Sequence, residues 1–501
     1  MSKRTKLILI GILFLSLFSR TFKLTSVPPS LNQDEAVNGY DAFTLGINLK
    51  DHHGNFLPPM LESFGDWTSP LITYITVPFV KNFGLSLFSI RLAVALLGVG
   101  SVYLMYLFLM QIFKRTDLSL LGAFLFSISP WDITLSRWAI PPGIVPFFLL
   151  LFLWTFFWAI DWQKKTGYIR QYIIPGIAAG LLTYSYPTMK LFVPIFVLVL
   201  ALIYLRDKFI TILIFLAAFA ALVSPIYILT VSNSKYNARF AGVSGLDSKQ
   251  EIAARYFDYF LPYFQFQTGD HDFMHQVPGT GNSYLFLAVF FYLGILICLL
   301  SQFRIVTIKG VDSKTYSLLL VWLLLFPIAA SITKDRNMVL RVVHGLPLVS
   351  IFSTLTLAYL WQYLKKSYIL FSIVVIFFLG IFVFGKFMKF YFTQYPDLVF
   401  KQFQYGIAQY SNFLLQNESR FDKVIIDSNI NQPYIYYLFF SSLDPSKLNY
   451  KNPRFSSPKY VFDTVSEGIV VNLPEIYRVE YKDTTRFVIY TKDSTWYVKQ
   501  Y

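Results

Sequence analysis

The sequence predicts an all-α polytopic membrane bundle with a small external α/β domain at its C-terminal end. Hydrophobic residues make up 55% of the 501 residues and charged residues only 14%, which is too apolar for an ordinary soluble domain. Uncharged stretches of roughly 16 to 25 residues recur, and a helix of that length crosses or nearly crosses a hydrocarbon core of about 30 Å. Beyond residue 391 these stretches end, and short clusters of aromatic and β-branched residues alternate with turn residues.

About eleven transmembrane helices are expected from these stretches. The first follows Lys3, Arg4 and Lys6, and we interpret it as an uncleaved signal anchor because no small-residue cleavage site follows it. In chain order the spans are expected near residues 7–22, 87–112, 118–136, 143–160, 171–187, 190–205, 209–231, 284–301, 315–332, 338–362 and 368–388.

Basic residues flank alternate loops, and this pattern predicts the orientation of the chain. Lys and Arg residues beside a span are retained on the cytoplasmic side. The N-terminus is therefore expected inside, an odd number of spans puts the C-terminus outside, and a multi-pass protein of the plasma membrane is expected. The alternating basic residues are Lys3, Arg4 and Lys6, then Lys114 and Arg115, then Lys164, Lys165 and Arg170, then Arg206 and Lys208, then Arg304, Lys309 and Lys314, then Lys365 and Lys366.

The net charge of +15 comes largely from those cytoplasmic loops. It therefore indicates topology and contact with the anionic lipid of the bilayer, and no nucleic acid partner is expected. The single cysteine, Cys298, lies in an apolar stretch and can form no intrachain disulfide bond.

Two domains are expected. Residues 1–390 form the transmembrane domain, with long external loops near residues 23–86 and 232–283, and residues 391–501 form an external soluble α/β domain. Functional residues concentrate in long loops on a rigid scaffold, so the external face is the expected functional face. The clusters that favour strands in the tail are Lys423 to Asp427, Lys459 to Asp463, Gly468 to Asn472 and Arg486 to Lys492.

The first external loop carries the densest group of chemically active side chains. Asn32 and Asp34 precede a stretch from Glu35 to Leu49 that predicts an interfacial helix, with Asp34 at or beside its N-cap in a polar cavity. The carboxylates favour a general base that takes a proton from an acceptor hydroxyl or amine. A helix cap with solvated charges explains the same spacing equally well. Further polar side chains in this loop are Tyr40, Asp41, His52, His53 and Asp66.

Cationic side chains in short external turns are unusual, because basic residues are mostly retained inside. Arg137, which we expect Asp132 to orient, is a candidate for binding a phosphate, and a side chain snorkelling to the interface is the alternative. Lys190 follows an aromatic turn and is a second phosphate candidate. Arg336 and Arg341 lie in and beside a very short turn, where charge is costly unless it is paired or faces a cavity.

The mid-chain external loop contains His271 and His275. Their spacing is that of two metal ligands on a helix face, but Gly269 and Pro278 argue against a regular helix. A polar lid or sugar contact is the second interpretation, and a solvated loop is the third. No metal ligand is assigned, and a divalent cation is left open as a cofactor.

Together these features resemble the GT-C superfamily of glycosyltransferases. The matching features are the pair Asp34 and Glu35 early in the first external loop, Arg137 in the next external turn, the long mid-chain loop and the multi-span bundle. The nearest group is that of the protein O-mannosyltransferases and aminoarabinose transferases, which is glycosyltransferase family 39-like. The resemblance covers roughly residues 1–390 and leaves the tail outside.

The resemblance implies a membrane glycosyltransferase that moves a sugar from a polyprenyl-phosphate-linked donor to a glycan, lipid or protein acceptor on the external face, with inversion. It implies Asp34 as the catalytic base and Glu35 as a catalytic neighbour of second rank. No nucleotide or protein nucleophile is needed, because the phosphate already leaves well, and the protein supplies position, a base and cations. The candidate contacts for the donor phosphate are Arg137, Lys190, and Arg336 or Arg341. The candidate contacts for the acceptor are Asp66, Tyr40, His271 and His275.

Three other functions compete with this one. A lipid-linked glycan polymerase or ligase also carries its catalytic residues in large external loops. A polysaccharide or lipid transporter would need charged residues deep in the spans and an inverted repeat, and neither is evident in the sequence. An inactive scaffold whose tail binds a partner stays open, because one chain shows no conservation.

Overall fold

The computed structural model describes residues 2–237, 242–245, 248–453 and 457–501. The α-helices described in it are α1 (Lys3–Thr21), α2 (Gln33–Asn48), α3 (Leu71–Phe83), α4 (Leu87–Phe113), α5 (Thr116–Ser127), α6 (Pro130–Ser136), α7 (Val145–Thr166), α8 (Ile173–Thr183), α9 (Met189–Leu205), α10 (Phe209–Ser232), α11 (Lys249–Asp258), α12 (Ala288–Gln302), α13 (Ser313–Leu325), α14 (Ile328–Ser331), α15 (Leu346–Trp361), α16 (Lys366–Thr393), α17 (Tyr395–Val399), α18 (Ile407–Gln416), α19 (Pro433–Ser441) and α20 (Glu467–Val470). The strands are β1 (Leu61–Ser63), β2 (Asp66–Thr68), β3 (Lys423–Asp427), β4 (Tyr460–Asp463), β5 (Glu475–Tyr481), β6 (Thr484–Lys492) and β7 (Thr495–Gln500).

The chain divides into two compact units, each made of segments that are distant in sequence. The second unit joins the first external loop to the tail, whereas we predicted a division at residue 391, and that division stays a prediction. The first unit comprises Met1–Phe22, Val94–Arg137 and Pro141–Thr393. The second unit comprises Lys23–Ala93, Trp138–Ile140 and Gln394–Tyr501.

Seven helical segments among the described residues are long and apolar enough to cross a membrane. Helices α5 and α6 form a pair bent by 60°, which makes an eighth if the pair is one broken span. The predicted multi-pass membrane character is therefore confirmed, while the number of eleven and the orientation of the termini stay predictions. The seven segments are Leu87–Phe113, Pro141–Thr166, Phe209–Ser232, Leu285–Gln302, Ser313–Ser331, Val339–Trp361 and Lys366–Thr393.

Close helix packing in the first unit depends on small residues, as is usual for helices in membranes. Gly294 of α12 faces the backbone of α15, and a Cβ atom there would lie 2.3 Å from the carbonyl oxygen of Phe352. A larger residue at this position would push the two helices apart. The segment that contains α15 is almost completely buried, so this contact lies in the core of the first unit.

The sheet of the second unit has the strand order β4-β3-β7-β6-β5. Strand β3 pairs in parallel with both β4 and β7, and β5, β6 and β7 form an antiparallel meander. Helix α19 connects β3 to β4, which is the βαβ arrangement that parallel strands require. Its buried Ile435 and the buried residues Ile426 and Val498 belong to the core of this α/β part.

The sequence predicted the sheet domain of the tail only in part. Strand β3 matches its predicted cluster, and β4 and β6 overlap with theirs. The strand expected at Gly468 to Asn472 is wrong, because Ser466 is extended and Glu467 starts a single helical turn, α20, that ends at Val470. Strand β5 was missed because charged residues interrupt its apolar side chains, as an edge strand tolerates.

Helix α2 forms where the first-loop pattern predicted a helix, but it is not half-exposed as an interfacial helix would be. Residues 36–42 are buried on every side of it. Helices α3 and α19 pack against it, and Gly39 permits the close approach of α19. A Cβ atom on Gly39 would lie 2.7 Å from Cε2 of Phe439. The helix that carries Asp34 is therefore fixed in the core of the second unit.

Candidate active site

Asp34 lies in the first turn of α2, which begins with a complete capping box. Asn32 Oδ1 accepts a hydrogen bond from Glu35 N at 3.0 Å, and Glu35 Oε2 accepts one from Asn32 N at 3.4 Å. These bonds satisfy backbone groups that a helix start otherwise leaves unpaired. Asp34 is half-buried whereas Glu35 is fully buried. Of the two acids, only Asp34 therefore keeps exposed surface.

Glu35 is held by four hydrogen bonds. Its Oε1 accepts from Arg91 Nε at 2.7 Å and from Ala139 N at 3.1 Å. Its Oε2 accepts from Arg91 Nη2 at 2.8 Å and from Asn32 N at 3.4 Å. This is a bidentate arginine–carboxylate pair in which both side chains have no exposed surface. The carboxylate of Glu35 is thus occupied in fixing the start of α2.

Arg91 joins that helix start to the preceding loop. Its Nη1 donates to the carbonyl oxygens of Leu24 at 3.0 Å and Pro28 at 2.9 Å, and its Nη2 donates to that of Ser30 at 2.6 Å. We did not single out Arg91 as a functional residue from the sequence. An arginine near the start of an apolar helix was the available signal, since such a charge requires a buried partner.

Two buried tyrosines connect α2 with the tail. Tyr436 of α19 is fully buried, and burial first, then the negative charges of Asp34 and Glu35 among others, raises the pKa of its phenol well above the usual value. The Tyr40 hydroxyl donates to the carbonyl oxygen of Leu443 at 2.7 Å, and Tyr40 is buried. The tail therefore supplies part of the surroundings of Asp34.

A second buried acid and base pair lies at the far end of α2. His52 Nδ1 is 2.6 Å from Asp41 Oδ1, and neither side chain is exposed by more than 2%. Burial lowers the pKa of His52, but the charge and hydrogen bond of Asp41 outweigh it and raise that pKa above its usual value. The His53 ring lies 4.1 Å from the His52 ring, and burial, with the charge of His52, lowers the pKa of His53 to about 4.

Asp66 begins β2 of the first-loop hairpin, opposite Ser63 of β1. The tip of this hairpin consists of Phe64 and Gly65, both with positive φ angles. Asp66 is half-buried there. The predicted residues Asp34, Glu35, Tyr40 and Asp66 thus all belong to the second unit.

Arg137 is fully buried in the first unit at the end of α6. Its Nη1 donates to Ser19 O at 2.9 Å and its Nη2 to Phe22 O at 2.8 Å, so it binds the carboxyl end of α1. Its guanidinium also lies over the ring of Phe392 at 5.0 Å. The expectation that Asp132 orients Arg137 is wrong. Asp132 forms a buried ion pair with Arg20, an arginine of α1 that we overlooked.

The other predicted cations also lie in the first unit. Lys190 is half-buried at the start of α9. Arg336 is exposed and pairs with Glu251 at 2.8 Å. Arg341 is less exposed, and its Nη2 lies 2.7 Å from Asp335 while its Nη1 donates to Thr333 Oγ1 at 2.5 Å.

The mid-chain loop is ordered around Asp270. Its Oδ2 lies 2.9 Å from His275 Nδ1 and accepts a hydrogen bond from Val339 N at 3.0 Å. His271 is exposed in the same loop, and the two histidines do not share a helix. Within the described residues there is no group of three or more His, Cys, Asp or Glu side chains that could hold a metal ion.

Comparisons of sequence relate the chain to known transferases. Residues 68–228 match the family model described as dolichyl-phosphate-mannose-protein mannosyltransferase. The chain is 28% identical over 229 residues to "Putative mannosyltransferase YkcB" of Bacillus subtilis. That alignment covers 45% of this chain and 31% of the Bacillus protein, so this chain spans about a third of its relative.

Comparisons of structure extend the likeness over most of the chain. ArnT from Cupriavidus metallidurans, bound to undecaprenyl phosphate, matches with a TM-score of 0.55 and 12% identity over 92% of this chain and 89% of that one. AglB from Archaeoglobus fulgidus, in complex with an inhibitory peptide and a dolichol-phosphate, matches with a TM-score of 0.54 and 14% identity over 88% and 64%. At such identities the likeness shows the fold alone.

The fold likeness reaches further than the sequence resemblance, because 92% of the chain is more than the first 390 residues. Part of the tail therefore shares the fold, whereas we expected the whole tail to lie outside the resemblance. The sequence match covers residues 68–228, and the likeness of fold covers most of the length. The resemblance of this chain to the GT-C glycosyltransferases is confirmed.

Proposed function

We propose that the protein is a membrane glycosyltransferase that moves a sugar from a polyprenyl-phosphate-linked donor to an acceptor on the external face. The family match supports the transferase class. The undecaprenyl phosphate bound by ArnT and the dolichol-phosphate bound by AglB support the donor class. The observation that carries the proposal is the half-buried Asp34 in the first turn of a helix whose start is fixed by the Glu35–Arg91 pair.

In the proposed reaction Asp34 is the general base. It removes a proton from a hydroxyl or amine of the acceptor while that atom attacks the anomeric carbon of the donor. The bond from this carbon to the phosphate oxygen breaks, the lipid phosphate leaves, and the configuration inverts. The positive end of the α2 dipole stabilises the ionised carboxylate that a base requires.

Glu35 and Arg91 are positioning residues in this proposal. Every oxygen of Glu35 is already hydrogen-bonded, which suits a group that fixes geometry rather than one that takes a proton. Tyr40 is buried and bonded to the backbone, which suits the same task. Asp66, His271 and His275 remain the proposed acceptor contacts.

Four cations are proposed to neutralise the departing phosphate: Arg137, Lys190, Arg336 and Arg341. The four side chains differ in exposure and in their ion pairs within the first unit. Arg137 is fully buried, whereas the other three keep exposed surface. Arg336 is paired with Glu251, and Arg341 is paired with Asp335. We therefore assign the first contacts to Lys190 and to Arg336 or Arg341, and a supporting role to Arg137.

The experiment is transfer by purified full-length protein in proteoliposomes. A panel of polyprenyl-phosphate sugars is supplied, and donor consumption is followed by mass spectrometry. Loss of a general base typically costs about 10²-fold to 10⁴-fold in rate, so Asp34→Asn should lose transfer by that factor. It should still gain thermal stability on adding the donor, since binding does not need the base.

Asp422→Asn is the matched control, because Asp422 is an exposed aspartate of the same unit outside the proposed site. It should transfer as the wild type does. Unchanged transfer by Asp34→Asn would remove Asp34 as the base. No consumption of any donor by the wild type would remove the proposed function.

A further inference from the structure

An open cleft lies in the α/β part of the second unit, far along the chain from the acid pair. Its volume is about 430 Å³, which is enough for a small ligand. The name amide cleft is used here for the surface formed by Ser428, Asn429, Asn431, Gln432, Tyr434 and Phe462.

The position of the amide cleft in the sheet is one where α/β proteins bind ligands. The loop after β3 lies at the carboxyl end of that strand and leads into α19. Strand β4 then returns parallel to β3. Strand β7 lies on the other side of β3. Crevices at the carboxyl ends of parallel strands, where connections diverge to two sides, are the preferred ligand sites of such sheets.

Hydrogen bonds of Asp427 and Ser428 fix the loop that follows β3. Asp427 is fully buried, and its Oδ2 lies 3.4 Å from Lys499 Nζ and accepts from Gln500 N at 3.3 Å. Its Oδ1 accepts from Asn429 N at 3.1 Å. Ser428 Oγ lies 3.1 Å from Thr464 Oγ1 in the loop after β4. These bonds fix the backbone before any ligand arrives, which lowers the entropy cost of binding.

The side chains of the amide cleft offer neutral hydrogen bonds and ring faces. Asn429 and Asn431 are exposed, and no described residue bonds to their side-chain amides. Each amide provides two donors and one acceptor in a plane, which suits neighbouring hydroxyl groups. Tyr434 and Phe462 stand edge to face at 6.5 Å and add apolar surface beside the amides.

The absence of basic side chains from the described lining favours a neutral ligand over an anionic one. Among the described residues of the amide cleft none is a lysine or arginine. A phosphate or carboxylate would therefore meet no cationic side chain among those described residues. A neutral molecule rich in hydroxyl groups matches both the amides and the rings.

The amide cleft also meets the first-loop hairpin. The Phe64 ring at the hairpin tip packs edge to face on Tyr434 at 6.3 Å. Asp66, the proposed acceptor contact, starts β2 just after that tip. A ligand in the amide cleft would therefore lie beside an element of the proposed site.

We propose that the amide cleft binds a neutral saccharide unit, and, resting on the proposed function, that this unit belongs to the acceptor. The acceptor class is then a glycan or glycolipid rather than an unmodified peptide. Asn429 and Asn431 bind its hydroxyl groups, and Phe462 contacts its apolar face.

The test measures saccharide binding without any donor. Full-length protein in nanodiscs is titrated with neutral disaccharides of glucose, mannose and N-acetylglucosamine, and binding is followed by saturation-transfer NMR. At least one disaccharide should bind saturably. The double variant Asn429→Ala/Asn431→Ala should weaken it by about tenfold or more, since two hydrogen-bonding side chains are lost. Phe462→Leu should weaken it too, and inorganic phosphate should not compete.

Asn412→Ala is the matched control, because Asn412 is an exposed asparagine on α18 outside the cleft. It should bind as the wild type does, and thermal unfolding should show that all variants are folded. Absence of saturable binding, competition by phosphate, or wild-type affinity in the double variant would each overturn the proposal.

The same titration separates this proposal from the proposed function. Asp34→Asn should bind the disaccharide normally while it loses transfer. A wild type that binds the disaccharide but consumes no donor would end the proposed function and leave the saccharide site standing. A wild type that consumes donor but binds no disaccharide would end the saccharide site and leave the proposed function standing.

Discussion

Two adjacent acids with the same chemistry have different environments at the start of α2. Asp34 is half-buried, and Glu35 is saturated by Arg91 and two backbone amides. Sequence alone ranked the two acids by family resemblance and gave no physical reason for the order. The structure adds a physical difference that supports this order, because Asp34 is partly exposed and Glu35 is fully buried.

Breaking the Glu35–Arg91 pair should destabilise the second unit strongly. Glu35→Ala leaves a guanidinium buried without its counter-ion, a change that typically costs about 3–5 kcal/mol. Thermal unfolding in detergent should therefore show a large loss. Glu475→Ala, which breaks the exposed pair with Arg478 on β5, is the control and should cost only about 0–1 kcal/mol. Equal effects from the two variants would contradict the assigned role of the buried pair.

The His52 and His53 pair should give the second unit an optimum of stability near neutral pH. The pKa of His52 is raised by Asp41, so its contribution is complete below about pH 6.5 and is lost as pH rises through the raised value. The pKa of His53 is lowered to about 4, so its contribution is complete above 6.5 and is lost as pH falls towards 4.

Melting temperatures measured from about pH 5 to about pH 9 test this pair. His52→Gln should flatten the alkaline side of the profile, and His53→Gln should flatten the acid side. A profile that keeps both slopes in both variants would mean that other groups control it.

Sequence predicted the helix start at Asn32 and Asp34 because a capping signal is local. It could not identify the partner of Glu35, since Arg91 is 56 positions away and spacing carries no information at that range. Tyr436 was missed for the same reason, being about 400 positions from Asp34. Asp132 was given the wrong partner because the nearest cation in sequence was chosen, whereas folding brings Arg20 of α1 to it.

At the scale of elements, two glycines of α2 should differ in whether they tolerate a larger side chain. Gly39→Val should destabilise the protein by about 1–3 kcal/mol, because its side chain would overlap with Phe439 of α19. Gly46→Ala is the matched control in the same helix, since its Cβ would lie 3.6 Å from Val77, an ordinary contact.

The control should be neutral or should stabilise the helix by about 0.5–1 kcal/mol. Chemical or thermal unfolding measures both variants. If Gly39→Val were as stable as the wild type, α19 would not pack as closely as the structure has it.

Hydropathy predicts membrane helices well when they are long, uncharged and straight. The segments Phe209–Ser232 and Lys366–Thr393 match predicted spans closely. The pair α5 and α6 was expected as one span, but the chain bends by 60° between them, where Pro130 begins the second helix. Burial of α2 could not be predicted, because it depends on a helix from the tail.

At the scale of the whole molecule, the composition of the second unit makes the tail necessary for the first loop. A chain that stops after Thr393 lacks α19 and the sheet, so α2 would lose the surface that buries Gly39 and Tyr40. Hydrogen exchange in residues 33–48 should accelerate strongly in that truncated protein. Exchange in α12 and α15 of the first unit is the internal control and should stay slow. Preserved protection in α2 would show that the first loop folds without the tail.

Because the second unit is discontinuous in sequence, it can be completed only late in translation. Ala93 and Gln394 are joined in one unit although about 300 residues separate them. At about 5–20 residues per second, a ribosome needs roughly 15–60 seconds to make the intervening chain. During that interval the nascent first loop has α3 beside it but lacks α19, which packs against it only after the tail has been translated.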